Sequence, residues 1–262
     1  MRERIRPVLA ALSFLSAVPV GRAVELGPRD LRRSAALLPA VGGVVGALVA
    51  LVAWGSAQVL PVSVAAVLGI AAGVAVTAAL HLDGLGDVAD GVGASLAGRD
   101  PAHAMRDPRL GTFGIAAVVL DLLLRTATLS ALVVTGFPWP VIAAGTLSRV
   151  APVAMASRLP YAGGGSGTWT AGIGARAVTI ASMIALAIAI PSAGIATIGM
   201  IVAVVVASTL TGRWSNRHLG GATGDGQAFP LTADSGYFWF FDDANVELVI
   251  KVIDGCGYND RY

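Results

Sequence analysis

Long apolar blocks alternate with short polar ones along the chain. Blocks long enough to cross a membrane run at roughly 35–60, 62–80, 112–135 and 138–157, and a further run from 177 to 211 is divided by Pro191. About twenty apolar residues cross a bilayer as a helix, so the last run predicts either two short spans with a tight turn or one long kinked helix. Glycine and alanine are frequent inside the blocks, as in "AVGGVVGALVA" and "GIAAGVAVTAA", which suits close helix–helix packing. The pattern predicts an all-α, polytopic membrane fold over residues 1–225, with about six transmembrane helices after a short N-terminal apolar segment. After residue 225 the character changes: "VELVIKV" alternates and closes on "DG", so residues 226–262 read as a short, strand-like, atypical soluble tail.

Charge orients this arrangement. Arg2, Arg4, Arg6 and the cluster Arg22, Arg29, Arg32 and Arg33 precede the first span. Arg99, Arg106 and Arg109 lie between the second and third, Arg158 and Arg176 between the fourth and fifth, and Arg213 and Arg217 after the last. The alternate connections are short and uncharged, so six spans with both ends in the cytoplasm put every charged loop on one side, as the positive-inside rule requires. The N-terminal "MRERIRPVLAALSFLSAVPVGRA" has the basic start of a signal peptide. The loop after it is also basic and no cleavage site stands out, so it reads as a retained interfacial segment. A net charge of +2, with Lys251 the only lysine, points to no nucleic-acid partner. Cys256 is the single cysteine, which excludes a disulfide framework and a cysteine-based metal cage.

Only 13% of residues are charged, yet "HLDGLGDVADG" at 81–91 places Asp83, Asp87 and Asp90 within eight positions. On a helix their side chains lie within about 60° of one another. Carboxylates so close repel unless a cation neutralises them, and Mg²⁺, a hard cation that takes oxygen ligands and shares substrate phosphates, suits them. The glycines at 84, 86, 91 and 93 leave room for a bulky ligand beside the backbone. In "MRDPRLGTFG" (105–114) Asp107 is a further candidate ligand, and Arg106 and Arg109 are candidate phosphate clamps. The "GTFG" turn feeds the next helix, whose N-terminal N–H groups suit an anion. Asp121 and Arg125 form an i, i+4 pair within the third span, read as a salt bridge facing the bundle interior. Arg149, in the fourth span, has no sequence-local partner and is expected to face the bundle, a polar cavity or an anion. "NRHLGGATGD" (216–225) offers a Gly-rich turn ending in Asp225, without the Lys-Ser/Thr of a P-loop.

In order along residues 5–225, "ALSFLSAVPVGR", "HLDGLGDVADG", "MRDPRLGTFG" and "GGATGD" resemble the cobalamin synthase family, adenosylcobinamide-GDP ribazoletransferases of vitamin B12 assembly. The resemblance implies a multi-pass enzyme of the bacterial cytoplasmic membrane, with its active-site loops facing the cytoplasm. It implies transfer of the adenosylcobinamide phosphate from adenosylcobinamide-GDP to α-ribazole or its 5′-phosphate, with release of GMP and a requirement for Mg²⁺. On that reading Asp83, Asp87 and Asp90 are catalytic and hold the metal, and His81, Arg106, Asp107, Arg109, Thr112 and Asp225 bind substrate. Membrane lipid is the remaining partner. Family members continue "TGD" into a Gly-Ala segment, an acidic residue and further apolar sequence, whereas here Asp225 runs into the tail. Whatever the family's C-terminus supplies to activity is therefore at issue in this chain.

Two rivals compete. A CDP-alcohol phosphotransferase wants D-x-x-D-G-x-x-A-R, but Ser95 stands where that arginine belongs, and Asp121 is followed at i+4 by Arg125. A small cation transporter using Asp83, Asp87 and Asp121 requires carboxylates near the bilayer midplane, whereas the aspartates of 81–91 cluster at a membrane mouth beside arginines.

Overall fold

The computed structural model describes residues 6–11, 28–162 and 172–223. The rest of the predicted N-terminal segment, Asp225 and the tail at 226–262 lie outside the described residues. Residues 6–11 are helical. Ten helices follow: α1 (Pro28–Ser34), which a 3₁₀ turn (Ala35–Leu37) joins to α2 (Leu38–Ser56), then α3 (Val62–Val76), α4 (Leu80–Leu96), α5 (Pro101–Ala104), α6 (Thr112–Val134), α7 (Pro140–Ser148), α8 (Val150–Arg158), α9 (Ala175–Ala193) and α10 (Ala196–Leu219). A parallel bridge between Tyr161 and Ala222 is the only extended pairing among the described residues.

Four helical stretches are long and apolar enough to cross a membrane: Arg29–Ser56, α6, α9 and α10. Their outer faces carry large apolar side chains, among them Ile115, Val119 and Leu123 on α6 and Ile198, Val202 and Val205 on α10. A face of that kind is stable against lipid rather than water. The chain is a multi-pass, all-α membrane protein.

Among the described residues the helices long and apolar enough to span number four, or five if α3 and α4 count as one broken span, where about six were expected of the chain. Two predicted blocks are interrupted. The block at 62–80 stops at Val76, and α4 leaves at 88° to α3. Fifteen residues of α3 reach about 22 Å, short of a hydrocarbon core of about 30 Å. The corner is made by Ala78 and Ala79 in left-handed conformations, φ +50° and +57°. Backbone groups at the corner are satisfied locally: the Thr77 hydroxyl donates to the Gly73 carbonyl at 2.9 Å and the Ala79 N–H to the Val74 carbonyl at 2.9 Å. The block at 138–157 breaks at Arg149 into α7 and α8, nine residues each. Most of α7 is buried, packed chiefly on α2 and α9, and a helix surrounded by protein has no need of lipid-spanning length. The run at 177–211 is two helices, the first of the two predicted alternatives. The turn falls at Gly194 (φ +55°), three residues beyond Pro191, which α9 accommodates in its last turn. The second helix runs on to Leu219, so Arg213 and Arg217 ride on α10 rather than on a loop.

Glycine decides how closely the central pair approaches. Gly42 on α2 faces Gly145 on α7, and a Cβ on either would overlap the other's carbonyl oxygen. Gly46, one turn on, meets the Val141 carbonyl in the same way. This small-x-x-x-small spacing lets two backbones touch where lipid gives helices no hydrophobic reason to associate. Gly42→Ala is expected to destabilise the detergent-solubilised protein by about 1–3 kcal/mol, because backbone cannot move aside as a side chain can. Gly55→Ala, with open space around it, is expected to be neutral or slightly stabilising. Thermal unfolding of the two variants side by side checks the contrast.

Candidate active site

Helix α4 organises the polar face of the molecule. Asp83, Asp87 and Asp90 share one side of it as the spacing predicts, Asp83 exposed and the other two half-buried. They form a row rather than a cage. At 1.5 Å per residue Asp83 and Asp90 are about 10 Å apart along the axis, and no three His, Cys, Asp or Glu side chains among the described residues converge on a common point.

Asp90 has another partner. Its Oδ2 accepts the Gly111 N–H at 2.6 Å and its Oδ1 the Gly114 N–H at 2.9 Å, so it caps the first turn of α6 from 21 residues upstream. The anion expected at this helix N-terminus is the chain's own carboxylate, placed where orphan N–H groups and the helix dipole favour it. A Cβ at Gly111 or Gly114 would overlap that carboxylate, which accounts for both glycines of "GTFG". Three of the four glycines of α4, at 86, 91 and 93, also admit the protein's own side chains. A Cβ at Gly86 would meet Leu110, at Gly91 Met105 and Trp214, and at Gly93 Phe113. The two motifs thus fold as one unit, with α4 packed against the segment 105–114.

Beside Asp90 this unit encloses a hollow of about 680 Å³, lined in part by Asp90, Arg99, Asp100, His103, Asp107, Arg109 and Thr112. That volume lies within the range of nucleotide-sized ligand sites. Asp107 and Arg109 face each other across a fork, with Nε and Nη2 of Arg109 each 3.1 Å from a carboxylate oxygen and the Arg109 N–H 3.0 Å from Oδ1. Hydrogen bonding to Arg109 holds the Asp107 carboxyl below its usual range, so the pair stays ionised at every pH above that range. It is exposed, and such pairs open at little cost, leaving Arg109 able to turn to a phosphate. Arg106 is exposed and does not line the hollow.

The hollow also holds three polar residues outside the two motifs. Arg99 and Asp100 sit in the turn after α4, where Asp100 Oδ1 caps α5 by accepting the Ala102 N–H at 2.9 Å, and His103 is on α5 itself. The signal for them was position: they lie between two motifs that must meet.

His81 does not join this site. It lies about 200° around α4 from Asp83, on the opposite face, buried at 5% exposure. It lines a separate cavity with Thr77, Arg125 and Arg149. Asp121 and Arg125 pair at 2.8 Å, the interior salt bridge expected of them. Gly220 and Gly221 of "GGATGD" are engaged in tying the end of α10 to the end of α8, where Ala222 and Pro160–Ala162 exchange backbone hydrogen bonds. A Cβ on Gly221 would overlap the Pro160 carbonyl. Asp225 lies beyond the described residues.

The chain belongs to the cobalamin-5-phosphate synthase family, whose pattern it matches over residues 7–227. The adenosylcobinamide-GDP ribazoletransferase of Azorhizobium caulinodans is 38% identical over 229 residues, covering 82% of this chain and 87% of the relative. That of Leptothrix cholodnii is 35% identical over 231 residues, covering 82% and 86%, and that of Albidiferax ferrireducens 35% over 260 residues, covering 86% and 92%. No solved structure matches the chain.

Replacing Asp90 by Ala removes both acceptors at the start of α6 and is expected to cost about 1–3 kcal/mol of local stability. Hydrogen exchange at Gly111 and Gly114 should quicken to the same extent with and without Mg²⁺. Asp90→Asn, which keeps one acceptor, should fall between. Protection that depends on Mg²⁺ instead would return Asp90 to the metal.

Proposed function

We propose that this chain transfers the adenosylcobinamide phosphate of adenosylcobinamide-GDP to α-ribazole or its 5′-phosphate and releases GMP, the assembly step of cobalamin biosynthesis. The observation that carries the reading is the joint fold of "HLDGLGDVADG" and "MRDPRLGTFG" around Asp90, which sets a carboxylate row beside a nucleotide-sized hollow. Family membership and the names of the relatives supply the reaction.

A hydroxyl oxygen of the acceptor ribose attacks the phosphorus that bears cobinamide. The new P–O bond forms as the bond to the GMP phosphate breaks, and the hydroxyl proton passes to a carboxylate. Such a transfer needs positioning and charge neutralisation more than a covalent protein group. Arg99 and Arg109 of the hollow serve the phosphate of the leaving GMP, and Asp83 or Asp87 takes the proton.

Asp83 and Asp87 stand one turn apart on the open side of α4. A donor set of two carboxylates fits Mg²⁺, which is often held by one or two carboxylates together with substrate phosphates. Bound there, the ion would supply charge neutralisation at the diphosphate. Asp90 positions the site through α6. The loops carrying it face the cytoplasm of the bacterial inner membrane, where the arginine-rich connections belong and where both soluble substrates are made.

Membranes bearing the full chain are expected to release GMP from adenosylcobinamide-GDP only with both α-ribazole and Mg²⁺ present. Asp83→Ala and Asp87→Ala should each lower that rate by about 100-fold or more. Release that needs no Mg²⁺, or that survives both substitutions, would refute the assignment of the row. No release from the full chain, but release once a family-like C-terminus replaces residues 226–262, would locate the fault in the tail.

A further inference from the structure

Two interrupted helices meet at one small cavity. The corner between α3 and α4 bounds it with Thr77, His81 and Leu82, and the break between α7 and α8 with Gly145 and Arg149, while Arg125 enters from α6. Its volume is about 70 Å³, several times what one water occupies. Irregular backbone at membrane depth persists where it is buried in protein or lines a polar cavity, and both interruptions of this fold fall on the same one.

The wall is basic. Arg149, 6% exposed, places one terminal nitrogen against the Gly145 carbonyl at 3.2 Å and the Ser148 hydroxyl at 2.7 Å. Arg125 is held by Asp121, and no Asp or Glu lines the cavity among the described residues. The buried Nε2 of His81 has no hydrogen-bond partner. A buried polar nitrogen left in that state is costly, and an oxygen-rich ligand between the imidazole and the guanidiniums would satisfy it. Planar guanidiniums match phosphate oxygens with paired N–H donors, and the positive end of α4 adds to the field.

We propose that this cavity is a phosphate-monoester site, distinct from the hollow beside Asp90. His81 and Asp83 occupy opposite faces of the same first turn, so a phosphate monoester seated here, a ribotide among them, would lie one helix diameter, ~10 Å, from the carboxylate row. Only the choice of that molecule rests on the transferase reading. Binding of phosphate does not, so either can fail alone.

The test uses the full chain purified in detergent and its thermal midpoint in inorganic phosphate against chloride at matched ionic strength. Phosphate is expected to raise the midpoint saturably. Arg149→Lys, which keeps charge but loses the planar fork, and His81→Phe should each weaken the apparent affinity about tenfold or more, while Arg109→Gln should leave the shift in place. A midpoint insensitive to phosphate overturns the proposal, as does a shift that persists unchanged in both cavity variants. A shift lost only in Arg109→Gln overturns it too, because it places the phosphate in the hollow. Further arms name the source of the monoester. A His81-dependent shift at lower concentrations of α-ribazole 5′-phosphate than of α-ribazole supports a ribotide. One seen only in nanodiscs containing phosphatidic acid supports a lipid headgroup.

Discussion

The contact between Gly42 and Gly145 sets the terms for much of this structure. With no side chain on either, α2 and α7 meet backbone to backbone, and α7 can sit in the middle of the bundle with α2 and α9 around it. The same absence of a Cβ at Gly42 makes room for the Arg149 stem, whose Cδ occupies the space such an atom would fill. A guanidinium is thereby placed in the interior, where an ionised group persists only with polar partners. Gly145 and Ser148 supply two of them, from the turn of α7 that the helix break leaves open.

At the membrane face a different device sets the geometry. Asp90 reaches across to the first turn of α6, and that one carboxylate explains why a glycine-flanked aspartate and a "GTFG" turn 21 residues later occur together. Each would be an ordinary feature alone. Joined by two charge-assisted hydrogen bonds of 2.6 and 2.9 Å, they close the floor of the hollow and hold Asp107, Arg109 and Thr112 beside it. A carboxylate on the first turn of a helix is a stiffer anchor than a loop contact, because it satisfies N–H groups that the helix itself leaves unpaired.

Much of this could be read from the chain, and the failures have identifiable causes. The helix at 112–134 was evident because nothing polar interrupts its start or end, and the face shared by the three aspartates followed from their spacing. The corner after Val76 was not evident, because Thr77, Ala78 and Ala79 carry no breaking signal and alanine is the best helix former. Left-handed alanines are imposed by tertiary packing, which no local propensity records. The role of Asp90 was missed for a related reason: helical spacing fixes where a side chain points but not which backbone comes to meet it. His81 was different. Its place on the far side of α4 from Asp83 was implicit in an offset of two residues.

Helix α4 therefore has two working faces, and the 88° corner makes both available. Had α3 run straight on through residues 77–96, His81 and Asp83 would still lie on opposite sides of the helix, but within one continuous apolar span. Turned aside, α4 keeps Asp83 exposed and Asp87 and Asp90 half-buried on one side, and its imidazole buried on the other. The strain of two left-handed alanines, of the order of 1–2 kcal/mol each, is held by the surrounding contacts. Strain of this kind persists where the rest of the fold over-determines it. Here it separates the side of α4 that carries Asp83, Asp87 and Asp90 from the cavity lined by His81, Arg125 and Arg149, across the width of one helix.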